Sequence, residues 1–256
     1  MIFYFSATGN SKYLAYGLGE RLGEEVRDIA EEIKGDCRYD LDRMVIVSPV
    51  YYYGPPTILS DFIAKMAFER VPAFYLVLNY GSTPGTAGDR FDSEMKKRGF
   101  AFKSRFEVQM PENYIPMFDV PEPEEIERQL DASDAFMDEA AGMISSGEGS
   151  IAADVTFSQR MLGHIARPFY EHGRGTHKFY VNSKCMKCGR CVKLCPIDAI
   201  SFKDRSPKWD AKKCIRCLTC VHLCPYDAIE FGMSTRGKRR YCNPRIDPDR
   251  GKKKVR

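Results

Sequence analysis

Residues 185–196 and 214–225 spell one pattern twice. Cys185-Met186-Lys187-Cys188-Gly189-Arg190-Cys191-Val192-Lys193-Leu194-Cys195-Pro196 is followed, after a spacer, by Cys214-Ile215-Arg216-Cys217-Leu218-Thr219-Cys220-Val221-His222-Leu223-Cys224-Pro225. Each copy reads C-x-x-C-x-x-C-x-x-x-C-P. Three thiolates two residues apart can wrap one face of a cubane only in a tight, irregular loop, so these runs are neither helix nor strand. In the bacterial iron–sulfur run the first three thiolates hold one cluster and the fourth ligates the other. The expected sets are therefore crossed: Cys185, Cys188, Cys191 and Cys224 hold one [4Fe–4S] cluster, and Cys214, Cys217, Cys220 and Cys195 hold the second. Pro196 and Pro225 end the loops, and Asp-Ala-Ile then opens a short helical turn that closes on Phe202 or Phe231. Structural zinc prefers isolated C-x-x-C pairs in tetrahedral sets, and disulfides belong to oxidising compartments; both fit this spacing less well.

The repeat fills only the last third of a 256-residue chain, so something of ordinary domain size precedes it. With 43% hydrophobic and 29% charged residues the composition is that of a soluble globular protein. No apolar run approaches the ~18 residues of a membrane span. The opening Met-Ile-Phe-Tyr-Phe is too short for a signal core and lacks a basic lead-in, so a reducing cytoplasm is expected. Charge is unevenly spread, with about −9 on residues 1–180 and about +13 on residues 181–256. Part of that excess offsets clusters carrying about −2 each with their thiolates. The rest gathers in Arg236, Lys238, Arg239, Arg240 and the Lys252-Lys253-Lys254 end. This basic stretch fits a contact for nucleic acid or an acidic protein, but a solvated disordered terminus is the favoured reading.

Ile2-Phe3-Tyr4-Phe5 reads as a fully buried strand. Ser6-Ala7-Thr8-Gly9-Asn10-Ser11 follows it, and Tyr13, Leu14, Leu18 and Leu22 then recur at helical spacing. Strand, polar glycine loop and helix outline an anion site, with backbone N–H groups and the helix dipole facing the ligand. Neither a Walker loop nor G-x-G-x-x-G is present. The hydroxyls of Ser6, Thr8 and Ser11 with the Asn10 amide suit a single phosphate monoester. Further strands are expected at 25–29, 44–50, 73–79 and 102–109, with helices from Pro56, over 88–98 and over 122–144, an α/β alternation. Five parallel strands at this spacing predict a doubly wound sheet whose ligand sits outside the carboxyl ends of the strands. The unusual residues fall there: Pro49, Val50, Tyr51, Tyr52, Tyr53 and Gly54 after one strand, and Asn79, Tyr80, Gly81 and Ser82 after the next. Both loops offer aromatic faces and glycines that allow close approach to a flat ring.

On these residues Phe5 to Ser11 resembles the phosphate loop of flavodoxins, and the two Tyr/Gly loops occupy the positions that hold the isoalloxazine there. The cysteine repeats resemble the two-cluster bacterial ferredoxins. Together they resemble a family of fusion proteins of anaerobes, ferredoxins with an N-terminal flavodoxin-like region, and the resemblance covers about nine-tenths of the chain. Departures are Ser11 where flavodoxins usually have Thr, Lys12 where they often have Glu, and stacking loops without Trp. The resemblance implies a flavodoxin-like FMN-binding domain over residues 1–150, a helical connector over 151–180, a small α+β ferredoxin domain over 181–232 and a basic tail over 233–256. It implies FMN and two [4Fe–4S] clusters as cofactors, with Ser6, Thr8, Gly9, Asn10 and Ser11 at the phosphate.

Phe157, Met161, Leu162, Ile165, Phe169 and Tyr170 predict an amphipathic helix whose apolar face packs against a domain, ended by Gly173-Arg174-Gly175. Met110 to Phe118 is too apolar for a solvated loop and reads as a lid, a contact for the iron–sulfur module, or local packing. Cys37 and Cys242 read as spare thiols, Trp209 as packing for a hairpin, and the four histidines carry no catalytic role. The leading functional expectation is an electron-transfer flavoprotein relaying between the clusters and FMN, with a ferredoxin or reductase as redox partner and no membrane or nucleic acid. The alternatives are a reductase in which FMN reduces a small molecule under the Asn113-Tyr114 loop, and a binding module with an empty flavodoxin-like fold.

Overall fold

The computed structural model describes residues 1–173, 175–203 and 206–246. In chain order its elements are β1 Ile2–Tyr4, α1 Asn10–Leu22, β2 Val26–Asp28, α2 Ile29–Glu32, β3 Arg38–Tyr39, β4 Arg43–Pro49, α3 Thr57–Lys65, β5 Ala67–Phe68, β6 Ala73–Tyr80, α4 Ala87–Lys97, β7 Phe102–Gln109 and α5 Pro123–Ser146. There follow α6 Phe157–His172, β8 Phe179–Val181, α7 Arg190–Lys193, β9 Ile200–Lys203, β10 Ser206–Trp209, α8 Thr219–His222 and β11 Ile229–Phe231. Five strands form one parallel sheet in the order β2-β1-β4-β6-β7. This is the doubly wound arrangement, with its switch point between β1 and β4.

The central strands are apolar through their middles, Met44–Val47 in β4 and Phe74–Leu78 in β6, because both sheet faces are covered. On one face Phe3, Ile46 and Leu76 pack with Leu59 and Phe62 of α3 and Phe91 and Met95 of α4. On the other, Ile2, Val45 and Val77 pack with Leu14 and Leu18 of α1 and Leu130, Met137 and Ile144 of α5. The outer edge of β7 is covered by Ile151, which pairs with Phe106 and exchanges backbone hydrogen bonds with Arg105 and Glu107, a protection that sheet edges need. The β3–β5 pair was not expected; it closes over the buried thiol of Cys37. Among the described residues no helix is long and apolar enough to cross a membrane.

Two expectations are overturned. Residues 233–246 are not a solvated terminus: they fold back over the first lobe, because each cation there finds oxygen partners. Arg240 forms an ion pair with Glu230 in which both side chains are buried. Arg239 donates to the carbonyls of Val120 and Pro121 and pairs with Glu122. Lys238 reaches Phe118 O and Asp119, and Arg236 the Tyr180 hydroxyl. Lys252, Lys253 and Lys254 lie outside the described residues. In α6, capped by the Thr156–Gln159 capping box, the inward side is Gly163, Arg167 and Tyr170, and the apolar stripe faces outward. The close approach of Gly163 to Thr86 and Tyr53 leaves no room for a side chain there, and Arg167 is drawn in by the carbonyls of Tyr51 and Pro55 at 3.0 and 2.9 Å. Arg174 lies outside the described residues.

Candidate functional site

The two cysteine runs adopt one backbone twice. Lys187, Gly189 and Asp198 have φ of 54°, 72° and 50°, and their counterparts 29 positions on, Arg216, Leu218 and Asp227, have 52°, 59° and 47°. Left-handed residues at these places bend the chain back on itself instead of continuing a helix. In both copies an N–H points at the fourth sulfur: Ala199 donates to Cys195 Sγ at 3.2 Å and Ala228 to Cys224 Sγ at 3.4 Å. A small cavity of about 20 Å³ is lined by Cys185, Cys188, Cys191 and, from the other run, Cys224. Burial raises the Cys191 thiol, and the sulfurs of Cys224 and Cys188 add to the effect. Burial likewise pushes Cys217 up to about 12, with Cys195 and Cys214 contributing, and raises Cys220 beside Cys217, Cys214 and Cys195. Thus each run's fourth cysteine stands with the other run's three. Among the described residues no three His, Cys, Asp or Glu are arranged to hold a single ion.

The copies differ in what surrounds them. Met186, Arg190 and Lys193 of the first are exposed, whereas Ile215, Thr219 and His222 at the matching places of the second are buried. The second copy is pressed against the parallel-sheet lobe. Thr219 Oγ1 donates to Ala7 O at 3.2 Å. His222 accepts from the Tyr241 N–H through Nδ1, which fixes Nε2 as the donor to Asn113 O at 2.8 Å. Ile115 and Val120 of the 110–120 loop join the core of the cysteine module, so that loop is one of the contacts between the modules. The Tyr170 hydroxyl of α6 donates to Ile215 O at 3.2 Å.

Between the lobes lies a cavity of about 250 Å³ at the carboxyl ends of β4, β6 and β7. Val50 N–H bonds Asn79 O and Met110 N–H bonds Tyr80 O, so the loops leaving these strands are tied side by side. Of the sequence candidates, Asn10, Pro49, Val50, Tyr51, Tyr52, Tyr53, Asn79, Tyr80, Gly81 and Ser82 line the cavity. Ser6, Thr8, Gly9, Ser11 and Gly54 do not. Thr8 Oγ1 accepts from Asn113 at 2.7 Å, Ser11 Oγ accepts from Asn79 at 2.7 Å, and Ser6 Oγ accepts from the Gly9 N–H at 3.1 Å. The Asn10 amide donates to Pro111 O and accepts from Tyr241 and Asn243. Asn243 N–H also donates to Thr8 O, so the C-terminal segment lies on the first loop. Gly54 closes a two-residue turn with Tyr51 and abuts the Arg167 guanidinium.

That turn is strained, since its central residues Tyr52 and Tyr53 have φ of 49° and 60°. Such turns favour Asn-Gly, and strain of this kind persists where a site requires it. Tyr52 is held by three contacts: its ring stacks on Tyr170 at 5.3 Å, the Arg216 guanidinium of the cysteine module lies 5.6 Å from its centroid, and its hydroxyl meets that of Tyr114. Burial, then the Tyr52 contact, holds the Tyr114 phenol well above its usual range. From the cysteine module, Arg216, Cys217 and Leu218 complete the cavity wall, with Leu162 and Ala166 from α6. Sequence reasoning missed Arg216, Leu218, Tyr170 and His222 as wall or junction residues. The signal was there in the repeats: Leu218 stands where the first copy has Gly189, an apolar side chain in a left-handed position that its burial against the cavity explains.

Trp209 packs in the β9–β10 hairpin: its ring stacks on Phe179 at 5.2 Å, and its buried indole N–H has no partner at hydrogen-bond distance among the described residues.

Comparison with the curated proteins gave no match. Among solved structures, an FMN-dependent NADH-azoreductase from Bacillus anthracis in complex with FMN is 12% identical, over 56% of this chain and 98% of its own, with a TM-score of 0.38. The Trp repressor binding protein of Bacillus subtilis is 17% identical over 54% and 96%, at 0.35. Rubredoxin oxygen:oxidoreductase of Desulfovibrio gigas is 14% identical over 57% and 36%, at 0.33. These similarities are too distant to carry an argument. The cysteine module stands on firmer ground: residues 184–228, which hold all eight cysteines of the two runs, match the family model of the 4Fe–4S dicluster domain.

Proposed function

We propose that this chain is an electron-transfer iron–sulfur flavoprotein in which two [4Fe–4S] clusters and FMN form one relay. The observation that carries the reading is Cys217, which is at once a member of the second cysteine set and part of the wall that Tyr51, Tyr52 and Gly81 also line. The clusters supply one-electron exchange and the flavin exchange of one or two electrons. Cys185, Cys188, Cys191 and Cys224 would hold one cluster, Cys214, Cys217, Cys220 and Cys195 the other. The tyrosine and glycine loops would hold the isoalloxazine. The protein's part is placement. Cys188 is exposed and Cys214 and Cys220 are buried, so the first run faces a protein donor and the second faces the flavin cavity. The 6–11 loop at the start of α1 is the candidate phosphate site for FMN, but Thr8 and Ser11 are held by Asn113 and Asn79, the Asn10 amide is held by Pro111 and Tyr241, and Asn243 lies on the loop, so a phosphate there would have to displace these contacts. A physiological donor of the ferredoxin type suits the basic surface around the first run.

The test is rapid mixing of reduced ferredoxin with the intact protein and with a Cys214→Ala/Cys220→Ala variant that keeps FMN and its far-ultraviolet circular dichroism. Flavin reduction is expected to slow by at least about 100-fold in the variant. Equal rates would mean that the clusters are off the path. A second reading, direct reduction of a small acceptor by the flavin, is favoured by the apolar edge of the cavity at Leu162, Met117 and Phe118. Turnover with quinones or nitro compounds well above that of free flavin, unchanged in the same variant with a chemical reductant, would select it.

A further inference from the structure

Phe157, Met161, Ile165 and Phe169 recur every four residues along α6, with Leu162 beside them. Residues four apart lie on one helix face, and these five are between 44% and 78% exposed. The stripe is about 18 Å long at 1.5 Å per residue. Near its middle, Leu162 reaches the edge of the cavity, where Met117 and Phe118 are 69% and 40% exposed. At about 150–250 Å² for a large side chain, the exposed fractions together present on the order of 700 Å² of apolar surface. That exceeds the ~300–600 Å² of the largest patch on a typical monomer and approaches the ~800 Å² that each partner contributes to a standard interface.

The chemistry of the patch selects its occupant. Every charged side chain of α6 is paired within the chain: Arg160 with Asp89, Arg167 with Glu171. The stripe therefore has no charge with which to steer an acidic or basic redox protein, whose encounters rely on complementary charge. A helix that lies on lipid presents a basic polar face beside its apolar one, whereas here Gly163, Arg167 and Tyr170 are spent against the protein. An uncharged apolar stripe is its own complement under a two-fold axis.

We infer that two copies of this chain associate through α6, stripe against stripe, and that each partner covers the other's Met117–Phe118 cavity edge. This assembly does not depend on what the cavity binds.

Sedimentation velocity of the anaerobically purified full chain, from 1 to 50 µM, is expected to give twice the chain mass of 29.2 kDa. Ile165→Glu, at the centre of the stripe, is expected to weaken association at least 100-fold with unchanged circular dichroism and cluster absorbance. Phe169→Ser, a milder change, should act in the same direction. A wild-type protein that stays at the chain mass, an Ile165→Glu variant that stays dimeric, or a monomer that floats with phosphatidylglycerol vesicles would each overturn the inference.

Discussion

Replacing Cys224 with Ala is expected to remove the cluster on Cys185, Cys188 and Cys191, which belongs to the other run, and to spare the cluster on its own run. The cavity lined by Cys185, Cys188 and Cys191 is closed by Cys224, and the Ala228 N–H is directed at the Cys224 sulfur. Cys195 stands instead among Cys214, Cys217 and Cys220. Iron should fall from about eight to about four per chain. Mössbauer or hyperfine-shifted proton spectra would tell which cluster is left. Survival of the set on Cys185, Cys188 and Cys191, with loss of the set on Cys214, Cys217 and Cys220, would reject crossed ligation. The mirror replacement, Cys195→Ala, should remove the cluster on Cys214, Cys217 and Cys220 and, on the proposed relay, slow flavin reduction.

Arg240→Ala is expected to cost about 3–5 kcal/mol, the range for removing one member of a buried ion pair. Arg240 and Glu230 are both nearly inaccessible and 2.8 Å apart, and Arg240 also donates to Thr235 O and Ile229 O. Without the guanidinium, Glu230 keeps only the Thr235 hydroxyl, at 2.5 Å. Because the penalty comes from the stranded carboxylate, Glu230→Leu/Arg240→Met should recover most of the loss. The contrast is Arg245→Ala. Arg245 pairs with Glu127, Asp131 and Asp134 on α5, but those carboxylates are solvent-facing, and exposed pairs are worth about 0–1 kcal/mol each. Anaerobic urea unfolding of the three variants separates the cases. An Arg240→Ala loss no larger than that of Arg245→Ala would mean that the buried pair does not hold the segment.

The local chemistry of the chain was legible in one dimension. Cysteine spacing dictates tight loops, although each run also holds one helical turn, Arg190–Lys193 and Thr219–His222, and is followed by a strand where Asp-Ala-Ile predicts the opening of a helical turn. Continuous apolar runs such as 44–47 dictate strands buried on both faces. The five-stranded parallel sheet and the positions of its loops follow from that periodicity, because each strand and its helix are chosen by neighbouring residues. The place where unusual loops follow successive strands is likewise set by chain direction in a parallel sheet, and Tyr51–Tyr53 and Asn79–Ser82 do meet in one cavity.

What only the tertiary structure decided are pairings between residues far apart in sequence. The periodicity of α6 announced an apolar stripe but could not say which side would be buried; the carbonyls of Tyr51 and Pro55, more than 100 residues away, chose Arg167. The basic residues 236–245 had the composition of a solvated terminus. They are ordered because Val120, Glu122, Glu230 and Asp134 happen to stand opposite them, and composition counts charges without locating their partners. The same holds for Cys217, whose spacing assigned it to a cluster while only the docking of the second repeat against the sheet made it a wall of the cavity between the lobes. Spacing along the chain fixes local geometry; a long-range contact depends on how two distant surfaces match in shape and charge, which neither stretch carries alone.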